Sequence, residues 1–393
     1  MDRYMIISAD GHAGVPEGGY RQYLESQYHH EYTEYLKGYL PGTGAHRKSL
    51  ENLGGAVFGK EVTEETEAQK EVEAGGRVGA WDPDRRIKEV EADGIVAEVL
   101  FPDGSLKNNA PFFASSKPGS YPYELQAAGA RAYNRWLADF CSKQPGRLAG
   151  LAVITIHDVE AAVSEIQWAK QAGLMGVIMP ASVGDSGDLP FYNHPRYEPI
   201  WATCAETALP LHTHVGSAVP DYGGLPGARL IFPTESSWFS HRPLWFLLWS
   251  GVFERYPKLK MVFTEQGSTW VPDILPRMDS MYHGLFRDIQ ETLPLSPTEY
   301  WERQCFVSAM FRDRTERDAR HGIGVNKLVW GSDYPHVEGS WPHSVKTLHN
   351  ALEGVPEEET RAMLGENALG VYGFDRKLLE PIASRVGPKI DEI

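Results

Sequence analysis

Eight short apolar runs recur along the chain, and longer amphipathic stretches separate most of them. This alternation limits the fold more than any other feature of the sequence. The runs are MIISA (5–9), GIVAEVLF (94–101), RLAGLAVI (147–154), GLMGVIM (173–179), ALPLHTH (208–214), KLKMVFT (258–264), CFVSAMF (305–311) and NKLVWGS (326–332). They are mostly β-branched and apolar, as strands buried on both faces should be. Helical patterns lie between most of them, among them YELQAAGARAYNRWLADFCSKQ, DVEAAVSEIQWAKQA, RPLWFLLWSGVFERY and PEEETRAMLGENALGVYG. Eight strands alternating with helices is the count of an α/β (β/α)8 barrel of the TIM type. A doubly wound open sheet is the alternative, but it would usually carry a glycine-rich phosphate loop after its first strand, and none is present.

The 393 residues are read as a single domain, 1–393, because barrels with insertions reach this size. The main insertion, residues 13–85, follows the first strand and holds the acidic, polar run EVTEETEAQKEVEAGG (61–76). It leaves from the C-terminal end of that strand, which places it as a lid. A formal net charge of -15 opposes binding to phosphate backbones, so no nucleic-acid partner is expected. Cys141, Cys204 and Cys305 form no CxxC pair, which argues against a disulfide framework or a zinc–thiolate site. No run approaches a membrane span and the first residues do not resemble a signal peptide, so the expected location is cytoplasmic. A homodimer is the default for a soluble oligomer.

The chemistry is suggested by polar residues at the ends of apolar strands. The first run leads into Asp10-Gly11-His12, where strand alternation points Asp10 and His12 to one side. On its own this is equally an Asx turn with an incidental histidine. The fifth run ends in His212-Thr213-His214; His214 lies nearer the mouth and is the better ligand, whereas His212 is either a ligand or a satisfied core histidine. Glu265 follows the sixth run directly, and a carboxylate there is unfavourable unless paired or bound to a cation. Asp333 and His336 follow the eighth run, and Glu98 sits inside the second, as a ligand or in a structural ion pair. Such oxygen and nitrogen donors without thiolate suit Zn, Mn, Fe or Co, as one ion or a bridged pair.

DGH, EADGIVAEVLFP, RAYNRWLADFC, PGRLAGLAVI, GLMGVIMP, LPLHTHVG, GVFERYPKLKMVF, LVWGSDYPH and ENALGVYGF together resemble the amidohydrolase-related metal-dependent barrels. That group includes the aminocarboxymuconate semialdehyde and resorcylate decarboxylases. The resemblance implies that Asp10, His12, His214 and Asp333 take the family's metal positions. In the decarboxylases a histidine ends strand 6 and polarises the metal-bound water; here that position is Glu265. The added carboxylate resembles a barrel-type diiron oxygenase subgroup, which includes the diterpenoid-hydroxylating monooxygenase of platensimycin biosynthesis.

Two functional readings follow. In the first, two Fe ions held by Asp10, His12, Glu98, His214, Glu265 and Asp333 activate dioxygen and hydroxylate a bulky apolar small molecule. In the second, one Zn or Mn ion lowers the pKa of a bound water in a hydrolase or decarboxylase, with Glu265 as general base. His241, Arg242 and His336 then hold a substrate carboxylate, with His241 and His336 also candidates for catalysis. Trp238 and Trp245 are candidates for an apolar substrate surface in either case, although aromatic residues there also suit helix–barrel packing. A catalytically silent binding barrel conflicts with the number of ligand-type residues.

Overall fold

The computed structural model describes residues 2–16, 18–39, 78–103, 109–114, 121–184, 188–217, 220, 222, 227–284, 287–336 and 339–393. The acidic run 61–76 therefore lies outside the described residues. Eight parallel strands follow one another around a single sheet: β1 (Ile6–Ala13), β2 (Ile95–Pro102), β3 (Leu148–Val153), β4 (Gly176–Ile178), β5 (Leu211–His214), β6 (Met261–Thr264), β7 (Cys305–Ala309) and β8 (Leu328–Trp330). The chain beyond β8 closes the ring against β1. Asp333 N donates to Asp10 O at 2.9 Å, and His12 N donates to Tyr334 O at 2.7 Å. Ser332 N bonds Ser8 Oγ at 2.9 Å across the same seam. This is the expected (β/α)8 barrel.

Several strands are shorter than their apolar runs. Leu174, Leu209 and Leu259 are buried but precede their strands, filling the core on approach rather than joining the ladder. β1 is longer than its run because the polar Asp10-Gly11-His12 continues it. Its register against β2 shifts between Ser8, opposite Glu98, and Gly11, opposite Leu100. One extra residue on β1 re-aims the side chains at its end.

Local chemistry sets the helix limits. Asp82 caps Pro83–Ala92 by accepting from Asp84 N and Arg85 N, with proline at the first position. Asp158 caps Val159–Gln171 through Ala161 N, and Ser296 with Glu299 forms a capping box at Pro297–Gln304. The run RPLWFLLWSGVFERY divides into Pro243–Trp249 and Val252–Arg255 at Gly251, whose φ is 77°. The helices pack their apolar faces on the barrel, where Trp201, Trp301 and Trp330 are fully buried. Cys141, Cys204 and Cys305 are free, buried thiols. Among the described residues no helix is long and apolar enough to cross a membrane.

Candidate metal centre

Four strand ends bring ligand-type side chains to one mouth of the barrel. Asp10 and His12 come from β1, His214 from β5, Glu265 from the residue after β6, and Asp333 with His336 from the turn after β8. Glu265 and Asp333 both adopt left-handed backbone, with φ of 56° and 58°. Such a conformation is unfavourable for a residue with a Cβ and persists only where its surroundings hold it. Ser308 Oγ accepts from Glu265 N at 2.9 Å, and Asp10 O accepts from Asp333 N. The strained turns aim both carboxylates into the cluster.

The histidine tautomers follow from their second contacts. His12 Nδ1 lies 2.9 Å from Pro102 O, and His214 Nδ1 lies 2.9 Å from Val215 O. A carbonyl oxygen only accepts, so each Nδ1 carries the hydrogen and each Nε2 offers its lone pair. His12 Nε2 is 3.6 Å from Asp10 Oδ1 and 3.2 Å from Asp333 Oδ1. His214 Nε2 is 3.5 Å from Asp10 Oδ1 and 3.0 Å from Glu265 Oε2. His336 stacks on His12 with ring centres 3.8 Å apart and places Nδ1 2.9 Å from Asp333 Oδ1.

Among the described residues two groups have ligand atoms within 4.8 Å of one another: Asp10, His12 and His214, and His12, Glu265, Asp333 and His336. His12 belongs to both. Its ring has one nitrogen available, and one lone pair cannot bridge two ions, so the overlap suits a single position.

A metal ion fits this donor set. Both carboxylate oxygens of Asp10 and of Asp333, and the Nε2 atoms of His12 and His214, are buried without a hydrogen-bond partner. The carboxylates of Asp10 and Asp333 have only imidazole nitrogens beside them, at 2.9–3.6 Å, and a cation among them would compensate their burial more fully. The electrostatics point the same way. Burial opposes a charge on His214, yet Glu265 and Asp10 raise its pKa well above the usual histidine range. Burial, together with the charges of Asp333 and Asp10, pushes the Glu265 carboxyl up. The cluster attracts positive charge.

Other expected residues lie elsewhere. Glu98 is not among the ligand groups; of the two roles open to it, ligand or partner in a structural ion pair, the structure shows the ion pair. Its carboxylate is held in two prongs by Arg86, with Nε to Oε2 at 2.6 Å and Nη2 to Oε1 at 3.0 Å, both residues being fully buried. His212 is a satisfied core histidine: Nδ1 lies 3.0 Å from Val177 O, Nε2 lies 3.0 Å from Tyr372 Oη, and burial pushes its pKa down to about 3. His241 stacks on Trp270 at 4.2 Å and meets Trp245 edge-on at 5.5 Å. Arg242 donates to Ser182 Oγ at 3.1 Å, with its guanidinium among Trp238, Phe239, Phe246 and Phe191 at 5.0–5.7 Å. Trp238 itself is 48% exposed.

Two residues that the sequence reading passed over support the site. Asp103, just beyond β2, lies 3.6 Å from His336 Nε2. Glu316 accepts from Ser268 N, Ser268 Oγ, Met310 N and Phe311 N, tying the loops after β6 and β7 together. Asp103 was available as one more acid after an apolar strand. Glu316 gives no such signal, because a glutamate in a polar helix reads as surface.

An eight-stranded α/β barrel with carboxylate and imidazole groups gathered at its strand ends defines a class of metal-binding barrel proteins. The chain belongs to the amidohydrolase family, whose sequence profile matches residues 27–374. A gamma-resorcylate decarboxylase of Rhodococcus jostii is 27% identical over 223 residues, covering 52% of this chain and 66% of that protein. A 2-amino-3-carboxymuconate-6-semialdehyde decarboxylase of Dictyostelium discoideum is 23% identical, covering 75% of this chain and 77% of its own. Among solved structures, an amidohydrolase of Mycobacterium avium subsp. paratuberculosis superposes with a TM-score of 0.72 at 20% identity, over 94% of this chain and 99% of the other. A dihydroxybenzoic acid decarboxylase of a Polaromonas species, with bound manganese and 2-nitroresorcinol, gives a TM-score of 0.62 at 18% identity over 96% and 99%.

Proposed function

We propose that the chain is a decarboxylase of the amidohydrolase family that uses one divalent metal ion and acts on a small aromatic or unsaturated carboxylic acid. The observation that carries this reading is the set of buried, partnerless donor atoms on Asp10, His12, His214 and Asp333. The Rhodococcus, Dictyostelium and Polaromonas relatives are named as decarboxylases, and the Mycobacterium structure only as an amidohydrolase; these names favour the reading over the diiron oxygenase that the extra carboxylate first suggested. Iron and monooxygenase chemistry gain no support from those relatives. The shared His12 also suits one ion better than two.

Asp10, His12, His214 and Asp333 would hold the ion, which, when bound, supplies a positive centre for charge developing on substrate oxygen. The remaining work falls to the chain. Loss of CO2 breaks a carbon–carbon bond and leaves its electron pair on the ring or vinyl carbon, which must then take a proton. Glu265, whose carboxyl is pushed up by burial, is the proton-transfer group we assign to that carbon. His336, stacked on His12 and close to Asp103 and Asp333, orients the mouth on the β8 side. His241 and Arg242, with Trp238 and Trp245, are the assigned substrate-side residues; a guanidinium among aromatic rings suits an aryl acid. The lid expected at 13–85 falls largely on residues 40–77, which lie outside the described residues, while Ala13 ends β1 and residues 83–85 begin the helix Pro83–Ala92.

The test is to prepare metal-free protein, restore Mn, Zn or Fe(II) separately, and measure CO2 release from a panel of hydroxybenzoates and muconate-type acids. Metal-dependent CO2 release supports the assignment. Oxygen consumption with substrate hydroxylation, and no CO2, would replace it with the oxygenase.

A further inference from the structure

Arg86 and Glu98 form the most deeply buried ion pair near the metal centre, and the proposed reaction does not use it. A buried pair is favourable only with good geometry and with its remaining donors satisfied. Here the two-pronged contact meets the first condition. The remaining guanidinium donors meet the second in an informative way. Arg86 Nη1 donates to His12 O at 2.7 Å and to Gly79 O at 3.3 Å, while Nη2 also reaches Tyr334 O at 3.5 Å. His12 is one ligand-type residue, and Tyr334 directly follows another, Asp333. One guanidinium therefore engages the backbone of both strand ends that close the barrel, where His12 N already donates to Tyr334 O.

The packing is tight on the same side. A Cβ on Gly11, between Asp10 and His12, would lie 2.9 Å from Arg86 Nη2, 3.0 Å from Glu98 Oε1 and 3.4 Å from Tyr334 O. The glycine of the Asp-Gly-His segment thus allows the ion pair to lie directly against the backbone that carries two ligands. The Arg86 guanidinium also covers the Tyr334 ring at 4.8 Å, and the Tyr334 hydroxyl donates to Glu89, on the same helix as Arg86.

We infer that Arg86, oriented by Glu98, is a positioning residue that clamps the ends of β1 and β8 and so sets the spacing of His12 and Asp333 for a divalent ion. The inference rests on the metal-centre reading above. Lysine cannot replace this arginine, because a single ammonium on a flexible stem cannot pair with Glu98 and span two carbonyls in a fixed plane. Supporting groups behind metal ligands typically change metal affinity by about 10–100-fold when removed.

The experiment is Mn(II) titration of metal-free wild type, Arg86→Lys and the apolar double variant Arg86→Met/Glu98→Leu, with melting curves and Co(II) absorption spectra for each. The double variant removes both charges, so no buried charge is left unpaired. The expected result is a folded protein whose Mn(II) affinity falls about 10–100-fold and whose Co(II) spectrum shifts. A folded double variant with wild-type affinity and spectrum would overturn the inference. If the double variant does not fold, Arg86→Lys decides. Weaker Mn(II) binding at wild-type melting temperature supports the clamp, and unchanged binding refutes it. Wild type that takes up no Mn(II) would instead remove the metal centre itself, and the clamp with it.

Discussion

His214 Nε2 lies 3.0 Å from Glu265 Oε2, so the imidazole ending β5 faces the carboxylate following β6. The same nitrogen lies 3.5 Å from Asp10 Oδ1 on β1. A single imidazole thus faces acids from two other strands, and a cation or a proton must sit among them.

His214→Ala removes that nitrogen while leaving the barrel packing largely intact, because the ring is at the mouth. Metal content is expected to fall sharply and activity to be abolished, with unchanged circular dichroism. The check is elemental analysis of the purified variant beside wild type. Full metal content with activity would remove His214 from the ligand set.

Gly331, the residue after β8, lies against Asp10, and a Cβ there would overlap the Asp10 Cβ. Both atoms sit on backbone, so neither yields easily. Gly331→Ala should destabilise the fold by about 1–3 kcal/mol and weaken metal binding by displacing Asp10. Denaturant melts and Mn(II) titration read the two effects. A variant matching wild type in both would show that the seam between β1 and β8 yields to an added methyl group.

Asp93, two residues before β2 and so at the end of that strand away from the mouth, gives a pH prediction. Its carboxylate is pushed up by burial from 3.8 to about 7, although it accepts from Ser344 N at 2.9 Å. The folded state therefore holds a proton that the unfolded chain has released. The resulting stability is fully present below about pH 4 and is lost as pH rises through about 7. Asp93→Asn keeps the acceptor and cannot ionise. Its stability relative to wild type should rise between pH 4 and pH 8, by an amount on the order of 1–3 kcal/mol. A difference that stays flat over that range would show that Asp93 is ionised in the fold.

The barrel was legible because buried parallel strands leave uninterrupted apolar runs, and a charge directly after such a run is conspicuous. That signal singled out Asp10, His12, His214, Glu265, Asp333 and His336, which the structure brings to one mouth. Glu98 gave the same signal for a different reason: its charge is neutralised by Arg86, twelve positions earlier on a polar helix, where an arginine looks solvent-exposed. Strand limits were less clear, because Leu174, Leu209 and Leu259 are as apolar as the strands they precede. The left-handed turns at Glu265 and Asp333 left no trace in the sequence, since neither is a glycine or an asparagine.

The most direct test of a single-ion centre is metal per chain in wild type and in Glu265→Gln, measured after reconstitution with excess Mn(II), Zn(II) or Fe(II). One ion per chain is expected in both proteins, with turnover in Glu265→Gln reduced by about 10²–10⁴-fold because the amide cannot transfer a proton. Two irons per wild-type chain, falling to one in Glu265→Gln, would contradict the single-ion decarboxylase and return the chain to the dinuclear oxygenase.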